Sequence, residues 1–135
     1  MKNLIFTLLI LCSLMYGCQK VSNTDNTTLN QQILPLAPTD LNSPRVGLSF
    51  ASLSWTDRST NETGFKIERK TGAGNFSIVG NTSENTSSFD DTALVANSIY
   101  TYRVYSYNLA GNSLGYSNEI TVKTLYIPPS FYRKS

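Results

Sequence analysis

The sequence predicts an all-β domain, a sandwich of two antiparallel sheets built from short strands, carried behind a non-globular N-terminal segment. Three observations predict it. From Tyr100 to Tyr107 the residues alternate, with Tyr100, Tyr102, Val104 and Ser106 on one side and Thr101, Arg103, Tyr105 and Tyr107 on the other. Alternation in aromatic and β-branched residues is the pattern of a strand with one buried face. Turn signals recur at roughly 8–12-residue intervals from Pro38 onward, the spacing of short strands in a sandwich. The composition agrees, with 11% aromatics, abundant Ser, Thr and Asn, and few helix formers.

Length and charge bound the rest. A chain of 135 residues holds one domain with a tail or two. The net charge is +2 and only 15% of residues are charged, so no basic face for nucleic acid is expected. The chain contains no His, which removes the commonest general base and the commonest zinc ligand together. Both cysteines, Cys12 and Cys18, precede the strand-rich part, so no disulfide staples it.

Residues 1–17 read as a targeting segment. Lys2 gives a positive start, and the apolar run from Leu4 to Tyr16 is too short for the ~20 residues that span a bilayer. The run ends Leu14-Met15-Tyr16-Gly17-Cys18. A small residue directly before Cys resembles the lipobox of bacterial lipoproteins, in which that cysteine is lipidated and becomes the mature N-terminus. Met15 and Tyr16 stand where that family favours Leu and a small residue. The resemblance implies lipidation at Cys18 and attachment to a membrane of the bacterial envelope; a plain secretory signal is the alternative. Residues 18–37, polar and aperiodic, read as a flexible tether, with Ile33, Leu34 and Leu36 beginning to pack on the domain.

From Pro38 the strands succeed one another in order. Pro38 to Asn42 is a candidate edge strand. Leu48 to Trp55 is the second; its apolar positions change parity, which suggests a bulge near Ala51. Phe65, Ile67 and Arg69 share one side of the third. Phe76 and Ile78 are in register on the fourth, Phe89 centres a short fifth, Tyr100 opens the sixth, and Ile120 and Val122 lie on the last, which begins at Tyr116 and ends near Thr124. These strands make a seven-stranded immunoglobulin-like sandwich. Residues 125–135 read as a frayed tail.

The segments Trp55-Thr56-Asp57 and Asn61-Glu62-Thr63-Gly64-Phe65-Lys66-Ile67-Glu68-Arg69-Lys70 resemble the bacterial branch of the fibronectin type III family. Asp91, Leu94, Tyr100, Tyr102, Arg103, Val104, the run Asn108-Leu109-Ala110-Gly111 and Ser117 extend the likeness, which covers residues 38–124. The resemblance implies a core around Trp55, Leu94, Tyr100, Tyr102 and Val104. It also implies that Leu94 and Tyr100 form a tyrosine corner, the phenol reaching back to backbone of the preceding turn. Ser106 stands where the family usually has Ala and brings a hydroxyl inside.

Sites are few. Asp90 and Asp91, as strand neighbours, point to opposite faces and make no acid/base pair. Asp57 and Glu62 share a loop and offer oxygens to a hard cation, but hydrogen bonds within the turn are the better reading. Arg103, Tyr105 and Tyr107, with Lys66 and Glu68 opposite, form the one nameable binding face; cross-strand packing is the bland reading and the preferred one. Asp91-Thr92-Ala93 resembles a short bacterial O-glycosylation motif. No cofactor and no metal is expected. The expected role is a non-catalytic, lipid-anchored envelope module that meets an unidentified protein or polysaccharide. A structural spacer is the alternative, and a hydrolase accessory or an enzyme with an unrecognised carboxylate site the weaker one.

Overall fold

The computed structural model describes residues 33–129, so Cys18 and the leader lie outside the described residues. The elements are β1 (Thr39–Val46), β2 (Phe50–Thr56), β3 (Gly64–Thr71), β4 (Ser77–Ser83), β5 (Ser88–Thr92), β6 (Ile99–Asn108), β7 (Gly111–Asn112) and β8 (Ile120–Lys123). One sheet runs β1-β2-β5; the other runs β4-β3-β6-β7, with β8 also on β6. Every pairing is antiparallel. Strand β3 occupies one edge of β6 from Tyr100 to Tyr107. Strands β7 and β8 therefore share the other edge as one interrupted strand, and the sandwich has the seven strands that the sequence predicts.

The alternation of each central strand decides what enters the core. Ala51, Leu53 and Trp55 come from β2, Phe65 and Ile67 from β3, and Tyr100, Tyr102 and Val104 from β6; Leu41 and Leu94 complete the buried set. The rings of Trp55 and Phe65 meet across the sheets with centroids 5.5 Å apart. Burying such side chains is the main favourable term in folding. The Tyr100 phenol accepts the Val95 N–H at 2.9 Å, so the expected tyrosine corner is present and the hydroxyl inside the sandwich is satisfied.

Three local expectations are corrected. Strand β2 carries no bulge near Ala51: it pairs β5 in unbroken register from Phe50 to Ser54. Phe50 is simply on the outer face, under Arg45 at 5.6 Å. The irregularities fall instead on β1, where Asp40 takes a φ of 56° within the first of two register shifts. On β4 the inward residue is Val79, not Phe76 or Ile78; Ile78 is 55% exposed. The pairing jumps from Ile67↔Gly80 to Glu68↔Ile78, and the extra residue reverses the facing of its neighbours along the strand. Gly80 is needed there, because a Cβ would collide with the Phe89 ring that packs on its backbone from the other sheet. The last strand begins only at Ile120 rather than Tyr116.

Polar groups also join the two sheets. Asp91 on β5 is buried, and one of its oxygens accepts both from Arg69 Nη1 of β3 at 2.7 Å and from the Tyr102 hydroxyl of β6 at 2.8 Å. Asp90, beside it, is exposed, so the two carboxylates do face opposite ways. Burial and the neighbouring Asp91 carboxylate hold the Tyr102 phenol far above its usual range, with the Arg69 guanidinium opposing weakly. At the β1 edge, the Asn118 side chain accepts the Leu41 N–H and donates to the Leu41 carbonyl, both at 2.9 Å. An amide side chain thus does for β1 what a neighbouring strand would do.

The ends of the domain are fastened too. The Ser106 hydroxyl donates to the Leu36 carbonyl at 2.6 Å, and the side-chain amides of Asn61 and Asn108 both donate to the Ile33 carbonyl at 2.8 Å. The hydroxyl that departs from the family's Ala therefore clasps the incoming chain. At the other end Leu125, expected to open a frayed tail, donates its N–H to Gly47 and accepts from Asn97.

Candidate functional site

The outer face of the larger sheet holds the residues expected to bind. The register places Glu68 opposite Arg103, Lys66 opposite Tyr105 and Gly64 opposite Tyr107. Arg103 Nε donates to Glu68 Oε2 at 2.7 Å. The same guanidinium lies 3.7 Å from the Tyr116 ring centroid and 4.0 Å from that of Phe76, between two aromatic rings. Lys66 Nζ stands 4.9 Å from Tyr107 and 5.8 Å from Tyr105. Tyr105 and Tyr116 meet edge to face with centroids 5.4 Å apart. Lys70 continues the row over Phe76 at 4.6 Å.

This arrangement is cross-strand packing rather than an open ligand face. Tyr105 is 7% exposed, not solvent-facing. Tyr116 and Phe76, from flanking segments, cover Arg103, and Lys66 lies over the tyrosines, so each cation already has a ring and each ring a cation or a ring. Contacts of this kind contribute about 0.5–1 kcal/mol each at exposed positions, and more where water is excluded. Burial pushes the Tyr105 phenol upward; Glu68 and Tyr116 add to this and Arg103 opposes it. Tyr107, half-buried, is the more exposed of the two tyrosines. The face as built is chemically a self-paired cation–aromatic ladder.

Asp57 holds its own turn, as the preferred reading has it, whereas Glu62 reaches across to the loop between β4 and β5. The Ser59 N–H donates to Asp57 Oδ1 at 2.9 Å, and the Asn85 N–H donates to Glu62 Oε1 at 3.0 Å. Glu62 is 6% exposed, and its other oxygen has no hydrogen-bond partner among the described residues. Burial raises the Asp57 carboxyl, the Ser59 N–H opposes, and the adjacent Glu62 carboxylate raises it again. A raised folded value means that Asp57 contributes most when protonated and costs stability once pH rises through that value. Asp57→Asn, which keeps an oxygen for Ser59, should therefore stabilise the domain at pH 7 by ~0.5 kcal/mol. That corresponds to a melting point higher by about 2–4 °C. Thermal melts at pH 7 and below about pH 4 check this, since the gain should shrink as the wild-type carboxyl protonates. No group of three or more His, Cys, Asp or Glu able to hold a metal comes together among the described residues.

Trp55, Leu94, Tyr100, Tyr102 and Val104 all lie in the core. Sequence reading missed the Arg69–Asp91–Tyr102 group, although a signal existed: Arg69 has the same parity as Phe65 and Ile67, and an inward cation requires an inward anion. It also missed Phe76 and Tyr116 as the lids on Arg103. Thr92, in the short glycosylation-like motif, is exposed at the end of β5.

Comparison with known proteins gives the arrangement a family. Residues 36–123 match the model of the fibronectin type III domain. Over 106 residues the chain is 36% identical to exoglucanase B of Cellulomonas fimi, a match covering 77% of this chain and 9% of that enzyme. Among solved structures, titin domains A168–A170 superpose with a TM-score of 0.61 at 22% identity, over 69% of this chain and 33% of that one. The FN1–FN3 domains of chicken CNTN1 give 0.61 at 23% identity, over 68% and 32%. At these identities the structures establish the fold, while the family match covers most of the chain. The chain belongs to the fibronectin type III domain family.

Proposed function

We propose that this chain is a non-catalytic module of the bacterial cell envelope, held on a membrane by a lipid on Cys18. Its single fibronectin type III domain meets a protein or a polysaccharide. The observation that carries this reading is the proportion of the exoglucanase match: the shared stretch is 9% of that enzyme, the size of an accessory part rather than of a catalytic one. A glucan is therefore the first polysaccharide to test. The position of Cys18, at the end of a short apolar run and directly after Gly17, supports the anchor. Several acyl chains at about 0.8 kcal/mol per buried CH₂ would make it stable.

The expected outcome is a lipid-modified Cys18 at the mature N-terminus, read by mass spectrometry of the membrane fraction. The domain should also retain an insoluble glucan, or a stoichiometric protein partner in detergent extracts. An unmodified Cys18 ends the anchor, and loss of both kinds of retention ends the binding role. The self-paired face of Arg103, Tyr105 and Tyr107 favours a second reading, a structural spacer. It predicts that Tyr107→Ser changes no retention while the melt is preserved.

A further inference from the structure

The two most exposed apolar side chains among the described residues lie at one end with two more beside them, while Val95, third in exposure, lies at the opposite pole. Leu114 is 94% exposed and Leu109 80%, both in the segments flanking β7; Leu36 is 63% exposed and Ile33 61%, both in the entering chain. These two segments are fixed against one another. Asn108, next to Leu109, holds the Ile33 carbonyl, and Ser106 holds that of Leu36. The Ser106 carbonyl accepts the Ser113 N–H at 2.9 Å, next to Leu114. Leu34 packs 3.1 Å from where a side chain on Gly111 would begin. Four aliphatic side chains are thus held outward by backbone that is already satisfied, which is costly in water.

We propose that this end of the domain docks on a lipid bilayer, with Leu109 and Leu114 entering the interfacial region and Ile33 and Leu36 beside them. The inference rests on the Cys18 anchor proposed above. Ile33 stands fifteen positions beyond Cys18, a reach of at most about 50 Å and about 20 Å for a random coil. A lipid on Cys18 therefore keeps this end nearer to the membrane, on average, than the opposite pole. At that separation the local concentration of bilayer is effectively millimolar, so shallow insertion suffices. On the neighbouring loops Arg58 and Glu84 are exposed, Asp57 is half-buried and Glu62 is buried, so the end gains nothing from anionic headgroups and its docking rests on the apolar side chains. The opposite pole lies about 30 Å away along the ten residues of β6.

The test attaches the full mature chain through Cys18 to a maleimide headgroup in vesicles of phosphatidylethanolamine and phosphatidylglycerol. The attachment does not depend on whether cells lipidate Cys18. Leu114→Trp reports on the proposed end, and Val95→Trp, at a 67% exposed site on the other pole, is the control. Emission from Leu114→Trp should move to the blue and fall at least twofold when the acyl chains are brominated, with the control unchanged. Equal quenching at both poles, or none at Leu114→Trp, overturns the proposal. A blue shift that needs no lipid and grows with protein concentration overturns it too, because the patch then belongs to a second copy of the chain. Quenching together with an unmodified Cys18 in cells would remove the natural anchor and leave the bilayer-seeking end established.

Discussion

Asp91→Ala should remove about 3 kcal/mol of stability, close to half of what a domain of this size possesses. The substitution strips a buried oxygen that accepts two hydrogen bonds, one from Arg69 and one from the Tyr102 hydroxyl. Tyr102 is fully buried, so its hydroxyl is left without a partner, at about 1–3 kcal/mol. The Arg69 side chain is 27% exposed and can regain some water, which places the total at the lower end of the range for a broken buried pair. Combining Arg69→Met, Asp91→Leu and Tyr102→Phe in one chain should be much milder, because no charge or hydroxyl then remains to satisfy. Urea unfolding of the single and triple variants checks this; a triple variant as damaged as Asp91→Ala would mean that the pair is a net contributor. The group also sets an alkaline limit. The Tyr102 phenol is raised in the fold, so its contribution is complete below the unfolded value of about 10 and declines as pH rises above it. Tyr102→Phe should flatten that decline.

Trp55→Ala should cost about 3–5 kcal/mol and leave the domain unfolded or barely folded. Trp55 is 5% exposed and its ring meets Phe65, so truncation empties the contact between β2 and β3 across the sandwich. The indole also carries its own test. Its Nε1 is buried without a hydrogen-bond partner among the described residues, which is an unfavourable feature of the native side chain. Trp55→Phe removes that group while keeping most of the apolar area, and should lose no more than about 1.5 kcal/mol. Chemical denaturation of both variants separates the two contributions. A Trp55→Phe variant as weak as Trp55→Ala would show that the indole nitrogen is in fact satisfied.

Much of the sandwich was legible because strands announce their buried faces. The parity of Tyr100, Tyr102 and Val104 placed β6, that of Phe65 and Ile67 placed β3, and Leu94 with Tyr100 placed the corner. Parity failed where pairing shifts. Val79 turns inward because β4 gains a residue against β3, and nothing within β4 itself reveals a partner's register. The candidate face shows a different limit. Alternation correctly put Arg103, Tyr105 and Tyr107 on the outer side, yet outer did not mean exposed. Phe76 and Tyr116 close over them from segments that lie elsewhere in the chain, and only the fold brings them there. The Arg69–Asp91 pair is non-local in the same way, its members standing 22 positions apart.

The clasp on the entering chain decides how the domain would bear tension. A pull on the N-terminus arrives first at Ile33 and Leu36, whose carbonyls are tied to Asn61, Asn108 and Ser106. Two of those residues belong to β6, which is paired on both edges at the centre of the larger sheet. Force is therefore handed to the best-supported strand before it reaches β1, which sits at an edge and would otherwise peel away one hydrogen bond at a time. Ser106→Ala removes one of these ties with little change to the core, and should lower the rupture force under pulling from the N-terminus far more than it lowers the melting temperature.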